Sequence, residues 1–313
     1  MKLFRTKLSK PTLALLAVAL IAPFVFYPVF LAKILCFALF AAAFNLLLGY
    51  VGLLSFGHAA FLGTGGYITG WLMMNAGITP ELAILLGTGA AGLLGAIYGK
   101  LAVKREGIYF AMVTLALAQL IFFVYLQAPF TGGEDGKQGI PRGELFGLID
   151  LSDNLNMYYF VLAIFLFGYW LIHRTVHSPF GQILKAIREN EPRAVSLGYN
   201  VNDYKWVAFM ISAALAGLAG STKSLVFQLT SLTDAHWHMS GEVVLMTLVG
   251  GVGTVFGPLV GAGAIVTMQN YLSGGELGNY VHIIMGAIFV ICVLAFRGGL
   301  VGEFQKLVKR NFG

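Results

Sequence analysis

His173 and His177 stand four residues apart at the end of an apolar run. That spacing places two imidazoles on one helix face, where they could hold a metal. The sequence offers no third ligand, and a helix C-terminus favours histidine through its dipole alone, so no metal is assigned. Glu242 opens another apolar run beside His236, Trp237 and His238. It reads either as a docking surface or gate, or as an interfacial cap with its aromatic belt. Lys223 lies inside an apolar run, near enough to its end to snorkel to the interface. Asn45, Ser55, His58, Thr114 and Gln119 are polar positions in otherwise apolar stretches. They line a polar passage or bond one helix to another. The run Thr131-Gly-Gly-Glu-Asp-Gly136 is glycine-rich, but it carries acids and lacks the lysine of a phosphate cradle. There is no nucleophile elbow, no His-Glu-x-x-His and no Walker sequence. The chain is therefore expected to carry no catalytic site and no cofactor of its own, and to hydrolyse no ATP.

The elements that position these residues are membrane helices. Of 313 residues, 58% are hydrophobic and only 11% charged, and the mean hydropathy is +0.80. A soluble fold of this size cannot cover its surface with so little charge. In a bilayer the backbone must be satisfied inside helices or a closed barrel. Apolar runs such as 108–126 and 158–172 are long and unbroken, without the period-2 alternation of barrel strands. Cys36 and Cys292 both sit in apolar runs and read as small buried hydrophobes.

Charge sets the order of crossings. Lysine and arginine gather in 2–10, in 100–105, in 174–205 and in 297–310, which together hold 16 of the 20. Cytoplasmic loops are basic, so these four belong on one face, with both termini cytoplasmic. The polar stretch 128–156, with Glu134, Asp135, Glu144, Asp150 and Asp153, belongs on the other. The basic N-terminus and the apolar run after it lack a small-residue cleavage site and read as a retained first span. Helices are expected near 12–31, 33–53, 57–75, 82–103, 107–127, 157–173, 206–228 and 281–296. Two short ones joined by a turn are expected in 242–272. The expectation is an all-α polytopic membrane protein with about ten transmembrane helices, some short or broken. It forms one domain over 1–313, with a cytoplasmic loop at 174–205 and an extracytoplasmic loop at 128–156. The segments 45–75 and 242–272 satisfy the charge rule equally well as crossing or re-entrant pairs.

Those two segments echo each other. Gly52-Leu-Leu-Ser-Phe-Gly57 is followed by Gly63 and Gly65, and Gly253-Thr-Val-Phe-Gly257 by Gly261 and Gly263. Paired glycine-broken hydrophobic segments point to a transport path, although close helix packing also selects small residues. On the first reading Asn45, Ser55, Gly57, His58, Thr114, Gln119, Gly253 and Gly257 border the path.

Residues 178–198 are the most informative. Ser178 can cap a helix and Pro179 suits its first position. Phe180, Ile183, Leu184 and Ile187 then form one apolar stripe, with Gln182, Lys185, Arg188 and Glu189 on the other face. Asn190-Glu191-Pro192 restarts a short helix bearing Arg193, Ala194, Val195 and Leu197, and Gly198 is placed for a left-handed terminus. The stripe rests on lipid or in a groove of a partner; the pattern alone allows both.

The run Ser178-Pro-Phe-Gly-Gln-Ile-Leu-Lys-Ala-Ile-Arg-Glu-Asn-Glu-Pro-Arg-Ala-Val-Ser-Leu-Gly198 resembles the coupling loop of ABC-importer permeases in the branched-chain amino acid (LivM-type) family. The stretches 45–58, 107–115, 131–136 and 241–251 resemble the same family, in order along nearly the whole chain. The resemblance implies a permease subunit in a bacterial cytoplasmic membrane, importing branched-chain amino acids or a similar small solute. It implies a homologous permease, two cytoplasmic ATPases that bind the ATP, and an extracytoplasmic solute-binding protein as partners, and no nucleic acid. It also implies that Phe180, Gly181, Ile183, Leu184, Ala186, Ile187, Arg188, Glu189, Asn190, Glu191, Arg193, Ala194, Leu197 and Gly198 couple the permease to the ATPases. The alternative class is an ion-coupled secondary transporter, which typically needs an intramembrane carboxylate; no acid lies in the middle of any expected span.

Overall fold

The structure, a computed structural model, describes residues 18–274, 280–295 and 299–303. The basic residues of 2–10 and 297–310 lie outside them. In chain order the helices are α1 (Pro28–Tyr50), α2 (His58–Asn75), α3 (Pro80–Ala102), α4 (Gly107–Gln127), α5 (Asn154–His177), α6 (Pro179–Glu189), α7 (Glu191–Ser196), α8 (Val201–Phe227), α9 (Trp237–Gly250), α10 (Gly257–Ser273) and α11 (Val281–Ala295). Among the described residues α1, α3, α4, α5 and α8 have both the length and the apolarity to cross a membrane. The chain is a polytopic all-α bundle.

Two boundaries differ from expectation for a local reason. The expected break at Lys33 is absent: α1 runs through it, and the turn falls at 22–27. Pro28 has no N–H to lose and fits the first helical turn. Lys33 is accommodated inside the helix, with its ammonium over the Phe227 ring. The helix expected at 206–228 begins at Val201, because Lys205 finds a carboxylate partner in Glu191.

The bundle has a basic end and an acidic end. At the basic end Arg188 of α6 reaches the terminus of α1, and Lys100 and Lys104 border a recess shared with Asn202 and Asp203. At the acidic end β1 (Lys137–Gln138) pairs antiparallel with β4 (Leu229–Thr230). There β2 (Glu144–Leu145) and β3 (Ile149–Asp150) form a small hairpin. Arg142 pins this cap, donating to Ser152 O, Asn154 Oδ1 and Val226 O. Tyr158 of α5 donates to Ala19 O at the same end.

The centre is α1 and α8, the most buried of the long helices. Small residues let backbones touch where α2 packs on α8: a Cβ at Gly65 would collide with the Gly217 carbonyl, and one at Gly220 with that of Leu62. Lipid supplies no hydrophobic force between helices, so such close packing is what holds them. The same device closes α9 against α10, where Gly250 meets Gly257 and Gly261 meets the Met246 carbonyl. The 242–272 segment is thus two helices with a turn at 251–256. At 14 residues, α9 rises about 21 Å, less than the roughly 30 Å of a hydrocarbon core.

Candidate functional site: a surface helix joined to two glycine turns

α6 starts as its sequence dictates: Ser178 Oγ accepts from Gly181 N at 3.3 Å and Pro179 takes the first position. Its apolar stripe packs largely on the chain's own helices. Leu184 and Ile187 are buried, Ile183 is half-buried, and the Phe180 ring stacks on Tyr204 at 5.6 Å. Ile187, Ala194 and Val201 form a small cluster joining α6, α7 and the start of α8. The links between these helices are so short that the nearest apolar surface is the chain's own. Asn190 Oδ1 accepts from Arg193 N at 3.0 Å and caps α7. Glu191 receives the Lys205 ammonium on both oxygens, at 2.6 and 2.7 Å. Gly198 ends the unit at φ +87°. Of the coupling candidates, Ala186, Arg188, Glu189, Asn190, Arg193, Leu197 and Gly198 are exposed, with Leu197 68% exposed.

The two glycine turns meet beneath this helix. α1 stops at Gly52 (φ +85°), whose N–H donates to Leu47 O; a glycine there avoids the strain of a left-handed residue. Gly253 has φ +76° in the turn between α9 and α10. Asn45 clamps that turn, donating to Thr254 O and accepting from Gly253 N, both at 2.9 Å. Each turn also has a hydroxyl aimed at the glycine before its helix. Ser55 Oγ accepts from Gly57 N at 3.2 Å and Thr254 Oγ1 from Gly257 N at 3.0 Å. The echo read in the sequence is therefore a repeated local geometry. Arg188 joins the two: its guanidinium donates to Gly49 O, its stem packs on Gly52, and it borders Gly253.

The remaining candidates surround the first turn. Phe56 N donates to Thr114 Oγ1 at 3.2 Å, and Gly57 packs on the Thr114 carbonyl. His58 is fully buried among Phe44, Phe61 and Phe209, 2.8 Å from Ser212 Oγ. The one Ser212 proton goes to Ala43 O, so His58 Nε2 is the donor. Gln119 stands apart, half-buried on α4. His173 and His177 stack at 4.1 Å, and no three-residue metal-binding group occurs among the described residues.

Two features were not legible in the sequence. One is the contact of Arg188 with both turns. The other corrects the reading of Lys223, whose ammonium does not snorkel outward but pairs with Asp234, both side chains largely buried. The only local signal was an acid eleven residues away in a polar stretch. A groove of about 340 Å³ opens between α9 and α11, lined by Trp237, His238, Glu242, Val244, Leu245 and Met285 with Phe56 at one side. In the loop at its mouth, burial and the neighbouring His238 hold the His236 imidazole below its usual range.

The structure is a bundle of apolar helices in which two glycine turns are tied to a folded surface helix. The chain belongs to the family described as branched-chain amino acid transport system / permease component, which matches residues 28–293. It is 26% identical over 292 residues to the high-affinity branched-chain amino acid transport system permease protein LivM of Salmonella typhimurium, covering 86% of this chain and 68% of that one. It is 29% identical over 242 residues to the ribose import permease protein RbsC of Bacillus subtilis, covering 72% and 70%. The probable branched-chain amino acid transport permease protein LivH of Methanocaldococcus jannaschii is 25% identical over 274 residues, covering 82% and 85%. No solved structure matches the chain.

Proposed function

We propose that this chain is the permease subunit of an ATP-driven importer in a bacterial cytoplasmic membrane, carrying branched-chain amino acids or a similar small solute. It works with a homologous permease, two cytoplasmic ATPases that bind the ATP, and a solute-binding protein. The observation that carries this reading is Arg188. A surface helix already folded onto the bundle is tied to the two turns that begin α2 and α10, so a push on the helix moves both. The face offered to the ATPase is the outward one, with Glu189, Arg193 and Leu197, while Leu184 and Ile187 act from within as the seat of the helix. Asn45, Ser55, Gly57, His58, Thr114, Gly253 and Gly257 hold the turns that border the path, and Gln119 stands on the neighbouring helix. The ion-coupled alternative draws no support from the family match.

The test is co-purification from the native membrane with uptake measured in parallel. An ATPase and a binding protein are expected to accompany the wild type, and Leu197→Asp is expected to lose the ATPase and uptake together. Wild-type recovery of the ATPase with Leu197→Asp would reject this face as the docking site. Sidedness has its own check. Single cysteines at Leu148 and Ser196, both exposed, in a background lacking Cys36 and Cys292, should label from opposite sides of the membrane; same-side labelling would refute the proposed order of ten crossings.

A further inference from the structure

One face of α3 is an uncovered aliphatic row that ends in charge. Leu82, Leu86, Gly89, Leu93 and Ile97 recur at helical spacing and are all exposed, and Leu101 is exposed beside them. α3 is long and apolar enough to cross a membrane, and acyl chains are as apolar as the leucines of such a row. Lys100 continues the row in the last turn, and Lys104 follows just past the helix. From Leu82 to Lys100 the helix rises about 27 Å, close to the roughly 30 Å of a hydrocarbon core, which sets the ammonium at headgroup level. The helix dipole alone accounts for a lysine in a last turn. It does not account for what surrounds this one. The Trp206 indole of α8 lies against Gly99, where a Cβ would meet the ring at 2.9 Å, and its Nε1 donates to Ala96 O at 2.8 Å. The Lys100 ammonium stands over that fixed ring, 5.2 Å from its centroid. It is held there at a recess of about 300 Å³ lined by Lys100, Val103, Lys104, Asn202, Asp203 and Trp206. Neither lysine belongs to the two ion pairs among the described residues. The one carboxylate of the recess, Asp203, accepts from Asn200 Nδ2. Two ammoniums against one carboxylate leave one positive charge in excess.

We infer that this recess binds the headgroup of an anionic phospholipid, its phosphate between Lys100 and Lys104 and its acyl chains along Leu93, Ile97 and Leu101. Charge and shape select the same occupant. A phosphodiester supplies the single negative charge that the recess lacks. A zwitterionic lipid would bring a further ammonium beside the two already there. Free phosphate or an acidic protein segment would satisfy the lysines but leave the aliphatic row uncovered. Only an amphiphile with an anionic head matches both. The bound headgroup would bridge α3 and the start of α8, at the seam where Trp206 already joins them. The site is separate from the α6 face offered to the ATPase and from the glycine turns, and transport itself does not require it.

The experiment equilibrates the complex, as it co-purifies from its membrane, in bilayers of equal phosphatidylglycerol and phosphatidylcholine. It then counts the lipids retained after extraction into detergent by native mass spectrometry. The wild type should retain phosphatidylglycerol in preference to phosphatidylcholine. Lys100→Gln with Lys104→Gln should lose about one phosphatidylglycerol per copy of this chain, since each lysine near an anionic surface contributes to holding it. Lys100→Arg with Lys104→Arg keeps the charge and should keep the lipid. A wild type that retains no phosphatidylglycerol overturns the inference, as does a Gln variant that retains as much as the wild type. Equal retention of the two lipids by the wild type would show apolar contact without recognition of charge. A phosphate ion retained in place of a lipid would make this a site for free phosphate. A Gln variant that loses a partner subunit together with the lipid would make the lysines a protein contact. Each of these three also overturns it. The unaltered chain gives a second reading that no folding defect can confuse. Extraction at about 1 M salt, where the Debye length is about 3 Å, should strip the retained phosphatidylglycerol, and retention indifferent to salt would overturn the assignment to Lys100 and Lys104.

Discussion

Arg188→Ala is expected to lower ATP-driven uptake about tenfold or more in a complex that still assembles. Arg188 touches both glycine turns, its guanidinium bonded to the Gly49 carbonyl and bordering Gly253, and its stem packed on Gly52. A hydrogen bond to a charged group contributes about 1.5–3 kcal/mol. Coupling free energies between distant sites are of the same order, about 1–3 kcal/mol, or roughly 5–150-fold. Removing this contact therefore removes most of what a push on α6 could transmit. The outward residues Glu189, Arg193 and Leu197 are untouched, so ATPase recovery should not change. Arg188→Lys should rescue only partly, because an ammonium keeps the charge but not the planar fork. Uptake and ATPase pull-down are measured on the same preparations. Wild-type uptake in Arg188→Ala would reject the tie between helix and turns, and loss of the ATPase along with uptake would place Arg188 at the partner interface instead.

Lys223→Met is expected to damage the fold more than any other single change considered. The ammonium and the Asp234 carboxylate are 15% and 9% exposed, and Phe37 and Phe227 cover the lysine. Deleting one member of a buried pair strands the other charge, at a cost of about 3–5 kcal/mol. Replacing both with apolar residues of similar size is often close to neutral. Lys223→Met should therefore give several-fold less monodisperse protein in detergent and a lower melting midpoint, while Lys223→Met with Asp234→Leu should recover most of both. A single variant that melts like the wild type would show that the pair carries no stability. A double variant as damaged as the single would show that the two residues act separately. The pair ties α8 to the segment just before α9, so its loss should also disturb the groove that Trp237 and Glu242 line.

Much of the architecture was legible in the chain. Unbroken apolar runs force helices because a bilayer leaves the backbone no other partner. Five of the expected spans are helices long and apolar enough to cross a membrane. Local signals did equally well where the physics is local: Ser178 and Asn190 cap the helices they precede, Gly198 takes the left-handed terminus, and the paired glycines form matching turns. Each of these is decided within a few residues by sterics and by the nearest backbone donor.

What lay beyond the sequence was direction and distance. The spacing of Phe180, Ile183, Leu184 and Ile187 shows that they share a face. It cannot show what covers that face, because lipid, a partner's groove and the chain's own α7 and α8 are all apolar. Only the tertiary structure decided for the chain itself, and so moved the outward surface to Glu189, Arg193 and Leu197. Polar partners are equally invisible when they are far apart along the chain. Arg188 and Gly49 are 139 residues apart and Asn45 and Thr254 are 209 apart, and nothing in either neighbourhood names the other. A buried donor must find an acceptor, so Asn45 and the largely buried Lys223 need partners, while the packing of the helices decides which partners they and the exposed Arg188 meet.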